Sequence, residues 1–300
     1  MTATPFRSAV VPAAGLGTRF LPTTKTVPKE LLPVVDTPGI ELVAAEAAQA
    51  GAEQLLIVTS PGKDAVAAHF ADSSELEATL AARGKDALAA KVRRAHELIA
   101  VRTVTQDEPL GLGHAIGCAR EAIDPAEGCF AVLLPDDLVL PSGVLNTMSQ
   151  VRAEKGGTVL CAFDIPREEI SAYGVFDVGS TSFGDVADAP DVKQVRGMVE
   201  KPAAADAPST FAAAGRYLLD VAVFDAIDRI TPGAGGELQI TDAIALLISE
   251  GHPVHVVVHR GGRHDLGNPG SYVRAFVDFA LEHPDYGPEL RTWLAARLAD

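Results

Sequence analysis

Residues 9–33 read AVVPAAGLGTRFLPTTKTVPKELLP, an apolar run that breaks at two glycines and is followed by Arg19, Lys25 and Lys29. Across residues 1–30 there are four Lys or Arg and one acid, Glu30, a local balance of +3 in a chain of net charge −15. Glycines after a strand let backbone amides approach phosphate oxygens with no Cβ in the way. Arg offers those oxygens a planar fork, and Lys a compact point charge. Gly15-Leu16-Gly17-Thr18-Arg19, with Lys29 ten residues further on, therefore reads as a phosphate-binding loop. Two common nucleotide motifs are excluded. Position 20 is Phe, not the third glycine of a dinucleotide fingerprint, and no G-x-x-x-x-G-K-[ST] occurs.

Four further segments carry candidate chemistry. In LLPDDLVLP a strand ending at Pro135 delivers Asp136 and Asp137 to the sheet edge. The pair could hold Mg²⁺, which takes one or two carboxylates with substrate phosphates and waters, or form a capped turn. In TQDEPLGLGHAIG, Gln106 closes a strand, and Gly111 and Gly113 precede a helix. A glutamine amide matches the N3–H and O4 or O2 edge of a pyrimidine, although a glycine-rich loop before a helix needs no ligand. Glu200-Lys201-Pro202 ends a strand, where Glu could bond two sugar hydroxyls and Lys a phosphate, or the two could form an exposed ion pair. Asp265, in RHDLGNPGSY, is either a second metal contact or the dressing of a helix N-terminus. His114 and His264 lack partners at a diagnostic spacing and are read as structural. Nothing resembles the nucleophile–base pattern of a Ser or Cys hydrolase.

The elements that must position these residues alternate. SAVVPA (8–13), LLIVT (55–59), VRTVT (101–105), FAVLL (130–134) and TVLCAF (158–163) read as strands. Helical periodicity covers 39–51, 73–84, 86–99 and 113–123 between them. Alternation of this kind predicts right-handed crossovers and a mostly parallel sheet covered on both faces. Beyond residue 164 the pattern loosens. Strands are expected at 173–178, 195–201, 215–220 and 254–259, helices near 220–230 and over 238–249 and 268–282, and a surface loop over 179–191. No linker or repeat divides the chain. One domain over 1–300 is expected, with regular alternation at about 8–164 and an elaborated second half at about 165–300.

Composition bounds the rest. An apolar fraction of 47% is that of a globular protein with a sizeable core, and a net charge of −15 argues against a nucleic-acid binder. Cys118, Cys129 and Cys161 show no CxxC spacing and read as free thiols of a reducing compartment. No apolar run approaches a membrane span or a signal h-region, so a soluble, cytoplasmic protein is expected.

Taken in order, PAAGLGTRFLPTTKTVPKELLPVVDTP, TQDEPLGLGHAIG, LLPDDLVLP, YGVF, VEKP, GRYLL, GAGGELQITDAI and HDLGNPGSY resemble the bacterial UTP–glucose-1-phosphate uridylyltransferases. These belong to the sugar-1-phosphate nucleotidylyltransferase superfamily, and the resemblance spans residues 8–285. It implies a Rossmann-like nucleotidyltransferase fold, an α/β architecture with a mixed, mostly parallel central sheet and helices on both faces. It also implies transfer of a uridylyl group from UTP to glucose 1-phosphate, yielding UDP-glucose and pyrophosphate, with Mg²⁺ as cofactor and a homodimer or homotetramer as assembly. By the same resemblance Ala13, Ala14, Gly15, Gln106 and Gly111 hold the nucleoside, and Gly17, Thr18 and Arg19 wrap the triphosphate. Lys29 reaches a nucleotide phosphate, Asp136 binds metal and Asp265 supplies a second carboxylate, whereas Asp137 carries no ligand role. Gly174, Glu200 and Lys201 form the sugar-phosphate pocket, and Arg19, Lys29 and Lys201 act in catalysis. Alternatives are dTTP or ATP as nucleotide, another hexose 1-phosphate, or a catalytically silent nucleotide-sugar sensor.

Overall fold

The computed structural model describes residues 6–179 and 190–299. The strands are β1 (Ser8–Pro12), β2 (Pro33–Val34), β3 (Thr37–Pro38), β4 (Gln54–Thr59), β5 (Ala100–Thr105), β6 (Cys129–Leu133), β7 (Asp137–Leu140), β8 (Thr158–Asp164), β9 (Gly174–Val178), β10 (Val192–Glu200), β11 (Phe211–Asp220), β12 (Val254–Val258) and β13 (Gly262–Asp265). The helices are α1 (Gly39–Gln49), α2 (Asp64–Ala68), α3 (Ser74–Ala82), α4 (Asp86–Leu98), α5 (Leu112–Cys118), α6 (Val144–Lys155), α7 (Val223–Arg229), α8 (Ile240–Ser249), α9 (Pro269–Glu282) and α10 (Gly287–Leu298).

A nine-stranded sheet forms the centre, in the order β5-β4-β1-β6-β11-β8-β12-β10-β9. Seven of its strands run the same way, and β10 and β11 run against them. The sheet is therefore mixed and mostly parallel. β11 slots between β6 and β8, so strands from the two parts of the chain interleave.

Period-two alternation on continuous apolar strands builds two cores, one per face. Ala9, Val11, Leu55, Ile57, Ala131 and Leu133 meet α1 and α6 through Ile40, Val43, Leu145 and Met148. Val10, Leu56, Val58, Phe130 and Val132 face α5, α7 and α8 through Ile116, Phe224, Ile244 and Leu247. Cys129 and Cys161 are buried, Cys118 is half-buried, and all three are free thiols.

Some expectations change. The 113–123 helix ends at Cys118 and continues as a short 3-10 turn over Arg120–Ala122, and Gly113 lies inside it rather than ahead of it. The strand preceding Pro135 stops at Leu133, and Asp137 opens β7, which pairs with β13 in a separate antiparallel ribbon. Neither this ribbon nor α6 was read from the sequence. The expected loop at 179–191 falls largely on 180–189, outside the described residues. No described helix is long and apolar enough to cross a membrane.

Candidate active site

The sheet edge where β1, β4 and β6 end carries the candidate chemistry, as open α/β sheets require. β1 pairing continues one residue past its end, with the Ala13 amide donating to Val58 O at 2.7 Å. The chain then bends through Gly17, whose φ of 65° lies in the left-handed region that glycine tolerates. Lys63, on the loop after β4, pins this segment. Its Nζ donates to Ala13 O at 2.8 Å and Gly15 O at 2.5 Å, and it pairs with the buried Glu30 at 3.1 Å. In a trans peptide the N–H points opposite the preceding C=O, so the amides of Ala14 and Leu16 are aimed away from Lys63. Burial pushes the Glu30 carboxyl up, and the Lys63 charge opposes that shift.

Arg19 and Lys29 reach the other two loops of the edge. Exposed Arg19 donates from Nη1 to Gly267 O at 3.3 Å, and Lys29 Nζ lies 2.6 Å from Asp136 Oδ2. Burial disfavours the Lys29 charge, yet the adjacent Asp136 outweighs it and holds the ammonium above its usual pKa.

Adjacent carboxylates Asp136 and Asp137 take different surroundings. Arg263 grips Asp137 in a fork at 2.8 and 2.9 Å, and the Gly215 amide donates to the same carboxylate at 2.8 Å. Both oxygens of Asp137 are thus occupied by protein donors. Asp136 instead turns toward Asp265. An ideal Cβ placed on Gly267 would lie 2.8 Å from Asp136 Oδ2 and 3.0 Å from Asp265 Oδ1, so the two carboxylates flank a space that only glycine leaves open. Asp265 Oδ1 accepts from the Gly267 amide at 2.7 Å. The helix-dressing role falls to Asn268, which caps α9 by accepting from the Gly270 and Ser271 amides. Among the described residues no group of three or more His, Cys, Asp or Glu gathers around one point. Two carboxylates beside an open space fit Mg²⁺, which completes its shell with water and phosphate.

Two cavities share Leu112 as a wall. The first, about 240 Å³, is lined by Ala14, Gly15, Gln106, Gly111 and Glu237. Its shape rests on Gly111, whose φ is 100° and whose added Cβ would meet Glu237 Cβ at 2.7 Å. The Leu238 amide donates to Leu110 O at 2.7 Å, and the Gly113 amide donates to Leu238 O at 2.8 Å. These bonds join the GGELQITDAI segment to the loop after β5. Buried Gln106 donates its side-chain nitrogen to Gly111 O at 3.2 Å, and that nitrogen lies 2.9 Å from His114 Nδ1.

The second cavity, about 190 Å³, is lined by Leu134, Gly174, Met198, Glu200, Lys201 and Thr241. Thr241 donates to Glu200 Oε2 at 2.7 Å, and Lys201 Nζ lies 3.2 Å from Glu200 Oε1. Lys201 holds a φ of 45°, an uncommon conformation for a residue with a side chain. Such positions gather at functional sites. A Cβ on Gly174 would come within 3.2 Å of Glu200 Oε2 and Thr241 Oγ1.

Most of the sequence-selected residues thus lie in loops where strands end, and Gly174, Glu200 and Lys201 line the adjoining second cavity. Ala13, Ala14, Gly15, Gly17, Thr18, Arg19 and Lys29 follow β1, Gln106 and Gly111 follow β5, and Asp136 and Asp265 face each other. His264 sits beside Phe279 and 3.6 Å from Asp278 Oδ2, in a structural setting. Sequence reasoning missed Lys63, Thr241, Gly267 and the His114–Gln106 contact. Lys63 had one readable signal, a lysine after a glycine in the loop immediately following β4.

The nucleotidyl transferase family model matches residues 8–281. A UTP–glucose-1-phosphate uridylyltransferase of Bacillus subtilis (strain 168) is 38% identical over 295 residues, covering 98% of this chain and 95% of the relative. One from Komagataeibacter xylinus is 44% identical over 270 residues, covering 88% and 90%. Among solved structures, the UTP-bound UDP-glucose pyrophosphorylase of Acinetobacter baumannii is 35% identical with a TM-score of 0.86, covering 97% of this chain and 99% of that one. Another, complexed with UDP-glucose, is 33% identical with a TM-score of 0.81, covering 93% of this chain and 100% of that one. With the fold and full-length relatives in agreement, the chain belongs to the nucleotidyl transferase family.

Proposed function

We propose that this protein transfers a uridylyl group from UTP to α-D-glucose 1-phosphate, giving UDP-glucose and pyrophosphate by direct in-line attack without a covalent intermediate. The reading rests on one observation: two cavities share a wall on one sheet edge, with Gly15 of the cationic loop lining one and Asp137, beside Asp136, lining the other. The first suits a nucleoside, with Gln106 at the base. The second suits a sugar phosphate, with Glu200 and Thr241 on hydroxyls and Lys201 on the phosphate. Relatives named for the same reaction, one of them solved with UTP and another with UDP-glucose, favour these assignments.

A phosphate monoester has a second pKa near ~6, so at neutral pH the attacking oxygen already carries charge and needs no general base. This fits a site in which, among the described residues, burial holds the Cys118 thiol beside His114 protonated rather than activated. The remaining difficulty is to bring two polyanions together and to stabilise the departing pyrophosphate. Arg19, Lys29 and the Ala14 and Leu16 amides would face the triphosphate, and Lys201 would orient the nucleophile. Mg²⁺, held by Asp136 and Asp265, would supply neutralisation of phosphate charge when bound. Lys29 also pairs with Asp136 at 2.6 Å, which places its charge beside the same carboxylate.

We assign all this to one domain over 1–300, in a cytoplasmic homodimer or homotetramer. Exposed Val273 and Phe276 on α9, with Trp293 and Leu298 on α10, support assembly through the last two helices. The test is pyrophosphate release with glucose 1-phosphate, Mg²⁺ and, separately, UTP, dTTP, ATP, GTP and CTP. Release with UTP that EDTA abolishes is expected. Preference for dTTP would refute the uridylyl assignment, and no release with any nucleotide would favour the sensor alternative.

A further inference from the structure

We infer that His114 is a positioning residue that fixes the orientation of the Gln106 amide, so that the nucleoside cavity offers the base an acceptor and refuses cytosine. The inference rests on the uridylyl reading of the same cavity.

One amide atom makes both contacts. Gln106 Nε2 lies 3.2 Å from Gly111 O and 2.9 Å from His114 Nδ1. A backbone carbonyl only accepts, so the atom facing it must be the NH₂, and its second hydrogen is left for His114. His114 Nδ1 then accepts, which places the imidazole proton on Nε2. That nitrogen faces Cys118 Sγ, one helical turn along α5, at 3.9 Å. Burial pushes the Cys118 thiol up, so the sulfur remains a neutral, weak acceptor for that proton. With both NH₂ hydrogens committed, Oε1 is the polar atom of Gln106 left without a protein partner among the described residues.

Gln106 lines the first cavity, and a carboxamide oxygen presented to a base there accepts from N3–H, which uracil and thymine carry. Cytosine presents a lone pair at N3, so acceptor would meet acceptor in the same pose. To serve cytosine the amide would have to turn its NH₂ outward, breaking both bonds and setting its oxygen against Gly111 O. A site built around a hydrogen bond rejects an analogue that leaves its polar groups unpaired far more strongly than an apolar pocket does. A hydrogen bond between neutral groups shifts such an equilibrium by roughly tenfold, so His114 carries about one factor of ten in the choice.

The test compares the parent with His114→Leu and His114→Asn, measuring kcat and KM for UTP and CTP with glucose 1-phosphate. In His114→Leu the ratio of kcat/KM for UTP over CTP should fall about tenfold through KM, with kcat for UTP within about twofold of the parent. His114→Asn, which restores an acceptor near the Nδ1 position, should recover most of the ratio. Equal losses with both nucleotides would reduce His114 to a packing residue and overturn the inference. The ¹⁵N shifts of the His114 ring in the parent give a reading independent of any variant's folding: protonation at Nε2 alone supports the lock, and protonation at Nδ1 overturns it. A parent inactive with UTP would instead overturn the uridylyl reading and the inference with it.

Discussion

Replacing Gly267 with alanine tests the carboxylate cradle while leaving both Asp136 and Asp265 in place. The added Cβ would stand 2.8 Å from Asp136 Oδ2 and 3.0 Å from Asp265 Oδ1, whereas ordinary contact begins at 3.4 Å. Asp136 Oδ2 must then retreat by about 0.6 Å and Asp265 Oδ1 by about 0.4 Å, the shortfalls from 3.4 Å. Mg²⁺ demands near-ideal octahedral geometry at about 2.0–2.1 Å, and absorbs such displacements poorly. Disturbing the groups that orient metal ligands costs about 10- to 100-fold in metal affinity or activity, and misplacing reacting groups by about 1 Å costs ~10²-fold in rate. We expect the half-saturating Mg²⁺ concentration to rise at least about tenfold and kcat to fall by up to ~10²-fold, while nucleotide affinity without metal stays near the parent's. Pyrophosphate release titrated with Mg²⁺, alongside calorimetric nucleotide binding in EDTA, measures both. A variant whose Mg²⁺ curve and kcat stay within about twofold of the parent would refute the pairing of Asp136 and Asp265 around one ion.

Other substitutions separate the remaining parts of the site. Arg19→Ala should lower kcat by ~10²-fold or more, the usual effect of losing one transition-state donor, and near-normal turnover would remove Arg19 from that role. Lys63→Met should weaken UTP binding and cost about 3–5 kcal/mol in denaturant melts, because it strips the partner from a buried carboxylate. Glu30 is already shifted up by burial against the pull of Lys63, so losing Lys63 raises it further. A carboxyl whose folded pKa is raised destabilises once it ionises, so the Lys63→Met deficit should shrink as pH falls through the folded Glu30 pKa. A deficit independent of pH would contradict this. Gly174→Ala should raise KM for glucose 1-phosphate about tenfold with little change in KM for UTP, since its Cβ crowds Glu200 and Thr241. Equal changes for both substrates would argue against separate pockets.

Much of the frame was legible because it is written locally. Ala9-Val10-Val11 and Leu55-Leu56-Ile57-Val58 are apolar on both faces, and that pattern alone marks strands buried between two layers. Glycines and a cation after β1 and a glutamine at the end of β5 each follow a strand, buried in β1 and largely exposed in β5, so sequence order placed them on one edge. Short-range rules also found α1, α4 and α9 within a few residues of their ends. Weak periodicity hid other elements. α6 carries scattered polar residues in VLNTMSQVRAEK, and β7 and β13 span four residues each.

Sequence by itself determined the fold class, the glycine-rich cationic loop and the residue types available for chemistry, since these follow from apolar periodicity and from charges within one loop. Only the tertiary structure separated Asp136 from Asp137, neighbours of identical chemistry. Arg263 and Gly215, 126 and 78 residues away, take Asp137 into the framework, while Gly267 leaves Asp136 facing Asp265. It likewise brought Lys63 to Glu30 and gave His114 its hold on Gln106. Local sequence biases backbone shape, whereas a side chain's partner is set by the packing of distant segments, which burial selects and no spacing records.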